Sequence, residues 1–125
     1  LETLAASGAA EFGAPAAEVA RITARILANP ASSRFFDAKA LRWAANEVPV
    51  SLDGAVLRID RLVRLDEAGV EAWWVLDYKL KHQPEALPAY HEQLAAYRAA
   101  VQRAQPGAVV RSAFIAGDGR LIESS

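Results

Sequence analysis

Residues 53–79, DGAVLRIDRLVRLDEAGVEAWWVLDYK, hold two apolar segments with period-two alternation, and each segment follows a turn signal. Asp53-Gly54 is a dipeptide that favours a two-residue hairpin turn, and residues 66–69 turn the chain again. The preceding residues 43–52 alternate in the same way. The apolar faces of the three segments comprise Val48, Val50 and Leu52, then Leu57, Ile59, Val63 and Leu65, then Trp74, Leu76, Tyr78 and Leu80. The pattern predicts a three-stranded antiparallel meander.

Helices and further strands are predicted around this meander. Apolar residues recur at helical spacing after Pro15 and again between Leu87 and Val101. The elements outside the meander are a helix at 15–28, a short turn at 32–37, a helix at 87–101, and strands at 109–116 and 120–123. A strand, a helix and a strand in this order favour a parallel pair with a right-handed crossover. We therefore expect an α/β fold with a mixed central sheet flanked by helices.

The chain length and composition fit one domain. The 125 residues are 53% hydrophobic, which is enough for one core. We assign residues 1–14 to a poorly patterned N-terminal segment and residues 15–125 to a single domain. The sequence contains no methionine and begins with Leu1, so we expect a piece of a longer polypeptide.

Charge and cysteine content exclude several classes of site. The 14 basic and 15 acidic side chains nearly cancel, so no overall positive field attracts nucleic acid. The absence of cysteine excludes disulfides and thiolate metal sites. No apolar run is long enough to span a bilayer and no signal peptide opens the chain, so we expect a soluble intracellular protein.

Three acids and a lysine are predicted to share one face of the meander. A two-residue turn at Asp53-Gly54 sets Glu47 opposite Asp60. Pairing Leu65 with Val70 across the second turn sets Asp60 opposite Val75, which makes Asp60 and Asp77 diagonal neighbours. Lys79 follows on the same face of its strand.

Gathered carboxylates repel one another unless a cation lies among them. Mg²⁺ prefers oxygen ligands and commonly binds through one or two carboxylates and substrate phosphates. Such an ion with a nearby ammonium group is suited to phosphodiester hydrolysis. The alternative is a solvated set of cross-strand ion pairs on a small structural domain, and the acid-x-Lys triplet alone does not decide between them.

Three motifs in order carry a family resemblance. IDRL at 59–62, LDYK at 76–79 and QLAAY at 93–97 resemble the nuclease domain of the RecB and AddA type, in the PD-(D/E)xK superfamily of restriction-endonuclease-like folds. The similarity covers residues 30–125. The predicted order of helix, meander, helix and two strands matches the core of that superfamily.

The resemblance implies a set of site residues. Asp60, Asp77 and the backbone carbonyl of Tyr78 would bind Mg²⁺, with Mn²⁺ as a substitute, and Lys79 would be the catalytic lysine. Glu47 and Gln93 would support catalysis. The residues expected to contact nucleic acid are Tyr97, Arg61 and Lys81.

The resemblance also implies a biological setting. We expect a DNA exonuclease domain at the C-terminal end of a bacterial UvrD/Rep-like helicase that repairs double-strand breaks. Its partners would be DNA, covalently attached helicase domains that alone use ATP, and a second subunit of the complex, in the cytoplasm near the nucleoid. Leu57 and Leu80 depart from the family pattern, and the first helix lacks a histidine ligand. A catalytically inactive module that binds DNA or docks a helicase therefore remains the alternative.

Overall fold

The computed structural model describes residues 16–79 and 87–124. The predicted segment at 1–14 and the residues Leu80 and Lys81 lie outside this part. The helical elements are α1 (Ala16–Ala28), α2 (Pro30–Ser33), a 3-10 turn (Arg34–Phe36) and α3 (Pro88–Ala104). The strands are β1 (Leu41–Leu52), β2 (Ala55–Glu67), β3 (Val70–Lys79), β4 (Val109–Ala116) and β5 (Leu121–Ser124). This order confirms the predicted α/β arrangement.

One mixed sheet has the strand order β1-β2-β3-β4-β5. The pairs β1/β2, β2/β3 and β4/β5 are antiparallel, whereas β3 and β4 are parallel. The antiparallel meander and the parallel pair were both predicted. Helix α3 connects β3 to β4, as a parallel crossover requires. Among the described residues, no helix is long and apolar enough to cross a membrane.

Two apolar cores cover the two faces of the sheet. The first packs Ile22 and Ile26 of α1 and Phe35 of the 3-10 turn against β2, β3 and β4. The second packs Leu94, Tyr97 and Val101 of α3 against the opposite face. The sheet is therefore a central layer between helical layers, which is the usual way of burying both faces of a sheet that contains parallel strands.

The first hairpin has the predicted register. Leu52 pairs with Ala55 across Asp53-Gly54, and both turn residues have positive φ, 50° and 83°. This geometry is that of a two-residue turn whose twist matches the strands. The pairs on either side of Glu47 and Asp60 place these two residues opposite each other, as expected.

The second hairpin corrects the predicted register by two residues. Glu67 pairs with Val70, so the turn consists of Ala68 and Gly69 alone, instead of the expected pairing of Leu65 with Val70. Ala68 has a φ of 53°, which is unfavourable for a residue with a Cβ. The Glu67 carboxylate accepts a hydrogen bond from Trp74 Nε1 (2.9 Å) and pairs with Arg34 (2.7 Å), and these contacts hold the longer strand in place.

The alternation of faces along β2 also differs from the prediction. Val63 and Leu65 pack in the core beneath α1, whereas Ile59 packs with Leu62 in the core beneath α3. Glu47, opposite Asp60, has a φ of 51° and departs from extended geometry. The outer half of the β1/β2 hairpin therefore turns its apolar side chains towards α3, at the point where the acids lie.

Candidate active site

The corrected register brings the two aspartates closer than predicted. The last β2/β3 pair is Arg61 with Leu76, so the next position sets Asp60 directly opposite Asp77, not opposite Val75. The Asp60 carboxylate accepts a hydrogen bond from the backbone N–H of Tyr78 (2.9 Å). This side-chain bond lies where the backbone ladder between the two strands ends. Both acids therefore lie where the pairing between β2 and β3 ends.

Burial and mutual repulsion perturb the ionisation of this pair. The pKa of Asp60 is raised to about 8, first by burial, then by a hydrogen bond with Asp77 and by its negative charge. The Tyr78 amide and the Lys79 ammonium lower the pKa in part. Two carboxylates in contact disfavour each other's ionised form, and the nearby ammonium does not fully offset this effect. In the metal-free protein the pair therefore holds one proton at neutral pH.

Asp77 and Lys79 form the second contact of the site. Lys79 Nζ lies 3.1 Å from Asp77 Oδ2, and both side chains are buried. The alignment is not that of a hydrogen bond, and Oδ2 has no hydrogen-bond partner among the described residues. The Lys79 ammonium thus offsets the charge of this oxygen and leaves its hydrogen-bonding capacity unused.

Tyr90 is a part of the site that sequence reasoning missed. Lys79 Nζ lies 4.8 Å from the centre of the Tyr90 ring, at the start of α3. The ring faces the ammonium group as in a cation–π contact. The sequence placed Tyr90 only in the apolar stripe of its helix. Its position three residues before Gln93 was the one available signal, since this spacing puts both on neighbouring parts of the helix surface.

The Tyr78 backbone has the orientation that a metal ligand would need. The N–H and C=O groups of one strand residue point towards the same neighbouring strand. Because the Tyr78 N–H points to Asp60, its carbonyl points towards the same gap between β2 and β3. The Tyr78 ring lies on the opposite face in the core beneath α1, where burial raises the pKa of its hydroxyl.

Glu47 and Gln93 do not belong to the buried part of the site, since both side chains are exposed. Within residues 16–79 and 87–124 no group of three or more acidic or histidine side chains could hold a metal ion. The prediction that Glu47 joins the aspartates in one metal-holding group is corrected here, at a residue whose φ of 51° departs from extended geometry.

Two of the three residues expected to contact nucleic acid are buried in the fold. Arg61 is 8% exposed, and its guanidinium donates to the Phe35 carbonyl (3.0 Å) and to Asn46 Oδ1 (2.9 Å). Two of its nitrogens therefore make contacts within the fold, and the expected contact with nucleic acid stays a prediction. Tyr97 is buried in the core beneath α3. Lys81 lies outside the described residues.

The donor set fits a hard divalent cation. Asp60 and Asp77 offer two adjacent carboxylates, one of whose oxygens lacks a hydrogen bond, and the Tyr78 carbonyl points to the same gap. Mg²⁺ commonly binds through one or two carboxylates and keeps several waters. A bound cation would replace the proton that the pair otherwise shares.

Comparison with known families identifies the superfamily of this chain. The sequence model described as the PD-(D/E)XK nuclease superfamily matches residues 3–121. No curated protein matches the chain. The matched region includes Asp60 and the Asp77-Tyr78-Lys79 triplet on the paired strands just described. Because the match spans nearly the entire chain, the protein belongs to the PD-(D/E)XK nuclease superfamily.

Proposed function

We propose that this protein is a divalent-metal-dependent nuclease domain that hydrolyses phosphodiester bonds in DNA. The observation that carries the proposal is the adjacent Asp60–Asp77 pair with the Lys79 ammonium 3.1 Å from Asp77. Members of the superfamily are generally nucleases, so the membership and the geometry support the same chemistry.

The proposed roles follow from position. The Asp60 and Asp77 carboxylates and the Tyr78 carbonyl hold Mg²⁺, which Mn²⁺ can replace. When bound, the ion stabilises negative charge on the phosphoryl group and lowers the pKa of a water nucleophile. Lys79 presents a positive charge next to Asp77, where it can orient the attacking water or neutralise charge in the transition state. Gln93 and Glu47 act from the exposed margin of the site.

The biological setting is a further part of the proposal. The motif order that resembles RecB and AddA nucleases supports exonuclease action at DNA ends, in a bacterial helicase-nuclease that repairs double-strand breaks. In this setting the attached helicase uses ATP and the domain described here does not. A second subunit and a cytoplasmic, nucleoid-associated location belong to the same proposal.

One observation favours a second candidate function. The Glu47 side chain is exposed, and the described residues provide only two converging carboxylates. A domain that keeps the fold but holds no catalytic ion would bind DNA or dock a helicase partner without cutting.

Cleavage of end-labelled single-stranded DNA tests the proposal. We expect cutting with Mg²⁺ or Mn²⁺, none with a chelator, and loss of cutting in Asp77→Ala and Lys79→Ala. Lys39→Ala is the matched control, because Lys39 is an exposed lysine outside the strands that carry the acid pair. Thermal unfolding of each variant separates loss of chemistry from loss of fold. If the wild type binds DNA with metal present but never cuts it, the protein is the inactive module instead.

A further inference from the structure

A row of three side chains crosses the sheet at the other end of the strands that carry the acids. Trp43 on β1 pairs with Arg64 on β2, and Arg64 pairs with Trp73 on β3, so the three side chains share one face. The two indole rings lie 5.5 Å apart, and the Arg64 guanidinium lies 5.3 Å from the Trp73 ring centre. We call these three residues the Trp-Arg row.

The row is anchored on one side and open on the other. Trp73 is half-buried against the core beneath α3, whereas Trp43 is 41% exposed. Contact with Trp73, with the two ring planes tilted by 59°, restrains the Trp43 ring without covering it. An indole held rigidly and left open to solvent loses little conformational entropy when a planar group stacks on it.

The charges around the Trp-Arg row favour bases, and not phosphates, as the groups that the row binds. Arg64 pairs with Glu71 at 2.7 Å, so the surface has no local excess of positive charge for phosphates. Two uncharged indole rings beside a guanidinium group can stack on the faces of unpaired bases. Such stacking does not depend on the base sequence. Bases within a duplex are already stacked on one another and offer no free face.

The row lies on the same face as the acid pair. Trp73 is four residues before Asp77 on β3, and Arg64 is four residues after Asp60 on β2, which is about 13 Å along each strand. Between them Leu62 and Val75 are buried beneath α3 and close the direct route.

Edge strand β1 provides an open route between the two sites. Its residues on that face are Trp43, Ala45 and Glu47, which are exposed, half-buried and exposed in turn. Because the side chain of Ala45 is small, it does not obstruct the surface between Trp43 and Glu47. A chain of a few nucleotides that follows β1 would reach Asp60, which lies opposite Glu47.

We propose that the Trp-Arg row is a stacking platform for unpaired bases of single-stranded nucleic acid, which then runs along β1 to the acid pair. This inference deepens the proposed nuclease function and rests on it. It names the substrate as single-stranded near the site and places the first base contacts on Trp43.

Binding of an oligothymidine in the presence of a chelator tests the platform without cleavage. We expect the wild type to bind with quenching of tryptophan emission, since Trp43 and Trp73 form the row while Trp74 is fully buried. Trp43→Ala should weaken binding by about five- to hundredfold, and Trp43→Phe should recover part of the loss. Val56→Ala is the matched control, because Val56 is 77% exposed on the same hairpin and lies outside the row.

An abasic oligonucleotide of equal length separates stacking from phosphate contacts. It should bind the wild type and Trp43→Ala equally, and a preference for the wild type would mean that bases are not what the row binds. Equal oligothymidine binding by wild type and Trp43→Ala overturns the platform even if Asp77-dependent cleavage is observed. Conversely, oligothymidine binding that depends on Trp43, without any cleavage, would support the stacking platform and contradict the proposed nuclease function. If Trp43→Ala instead abolishes self-association in sedimentation and leaves DNA binding unchanged, the row is an interface between copies of the chain and the platform is wrong.

Discussion

Asp60 and Asp77 lie opposite each other on adjacent strands. The chemistry of the site depends on how the repulsion between their negative charges is offset. The pKa of Asp60 is raised to about 8, with burial as the largest cause, so at neutral pH the metal-free pair carries a proton. A divalent cation that binds both carboxylates must displace this proton. Protonation and metal binding at the site are therefore competitive.

This competition predicts pH-dependent metal binding. Because the proton is held up to a pH of about 8, the affinity for Mn²⁺ or Mg²⁺ should rise by up to about tenfold per pH unit below that value and level off above it. Calorimetric titration in buffers of different ionisation enthalpy should detect proton release on binding below pH 8 and little release above it. Asp60→Asn should bind the ion weakly at every pH. A pH-independent affinity for the wild type would show that Asp60 is not a ligand.

Tyr90 is predicted to position Lys79, the proposed catalytic lysine, through its ring. A cation–π contact of this kind is worth about 0.5 to 2 kcal/mol, so Tyr90→Leu should lower kcat by about two- to thirtyfold with little change in KM for DNA. Tyr90→Phe keeps the ring and should retain nearly full activity. A purely structural role would instead make both variants lose thermal stability together, which unfolding measurements would reveal.

At the scale of elements, the β4–β5 turn is fixed by its approach to α1. Gly119 has a φ of 89°, and a Cβ at this position would lie 2.5 Å from the Arg25 carbonyl oxygen. The Gly119 carbonyl also accepts a hydrogen bond from the Ser32 hydroxyl (2.6 Å). The turn therefore joins the end of α1 and α2 to the last two strands of the sheet.

Gly119→Ala should destabilise the protein more than a positive φ alone explains. Gly107 is the matched control, because it has a φ of 82° but a Cβ at this position would meet no atom within 4 Å. We expect Gly107→Ala to cost about 1 to 2 kcal/mol from backbone conformation, and Gly119→Ala to cost more because the Arg25 backbone must move. Chemical denaturation of both variants measures the difference, and equal losses would mean that the turn can shift without cost.

At the scale of the whole molecule, Glu67 links three separate parts of the chain at the end of β2. Its carboxylate pairs with Arg34 of the 3-10 turn (2.7 Å) and Arg111 of β4 (3.2 Å), and it accepts a hydrogen bond from Trp74 of β3. The pKa of Glu67 is lowered: burial opposes this, but the hydrogen bonds from Trp74 and Arg34 and the charges of Arg34 and Arg111 together outweigh it.

Because the pKa of Glu67 is lowered in the folded protein, part of the free energy of unfolding depends on pH. Since the folded-state pKa lies below the unfolded value of 4.5, the contribution is present above that pH and is lost as the pH falls through the folded-state pKa. Glu67→Gln should lower the free energy of unfolding at neutral pH and flatten its decline in acid. Glu71→Gln is the control, because Glu71 is exposed and pairs with Arg64, which is not one of the two arginines that Glu67 contacts. Identical acid profiles for the wild type and Glu67→Gln would contradict the prediction.

Local patterns in the sequence predicted most of the fold and part of the site. Period-two alternation and the Asp53-Gly54 turn predicted the first hairpin and its register, because both act between residues close in the chain. The order of strand, helix and strand predicted the parallel pair of β3 and β4. Alternation along β3 placed Asp77 and Lys79 on one face of the strand, and their side chains form an ion pair there.

Contacts between distant residues settled the rest. The bonds of Glu67 to Trp74, Arg34 and Arg111 extend β2 and make Ala68-Gly69 the turn, and this shift of two residues moves Asp60 from a diagonal position to one opposite Asp77. The buried donors of Arg61, the Tyr90 ring over Lys79 and the exposure of Trp43 depend likewise on elements far apart in the chain. Periodicity reports which face a side chain takes along its own strand, but the partner it meets there is set by packing between elements.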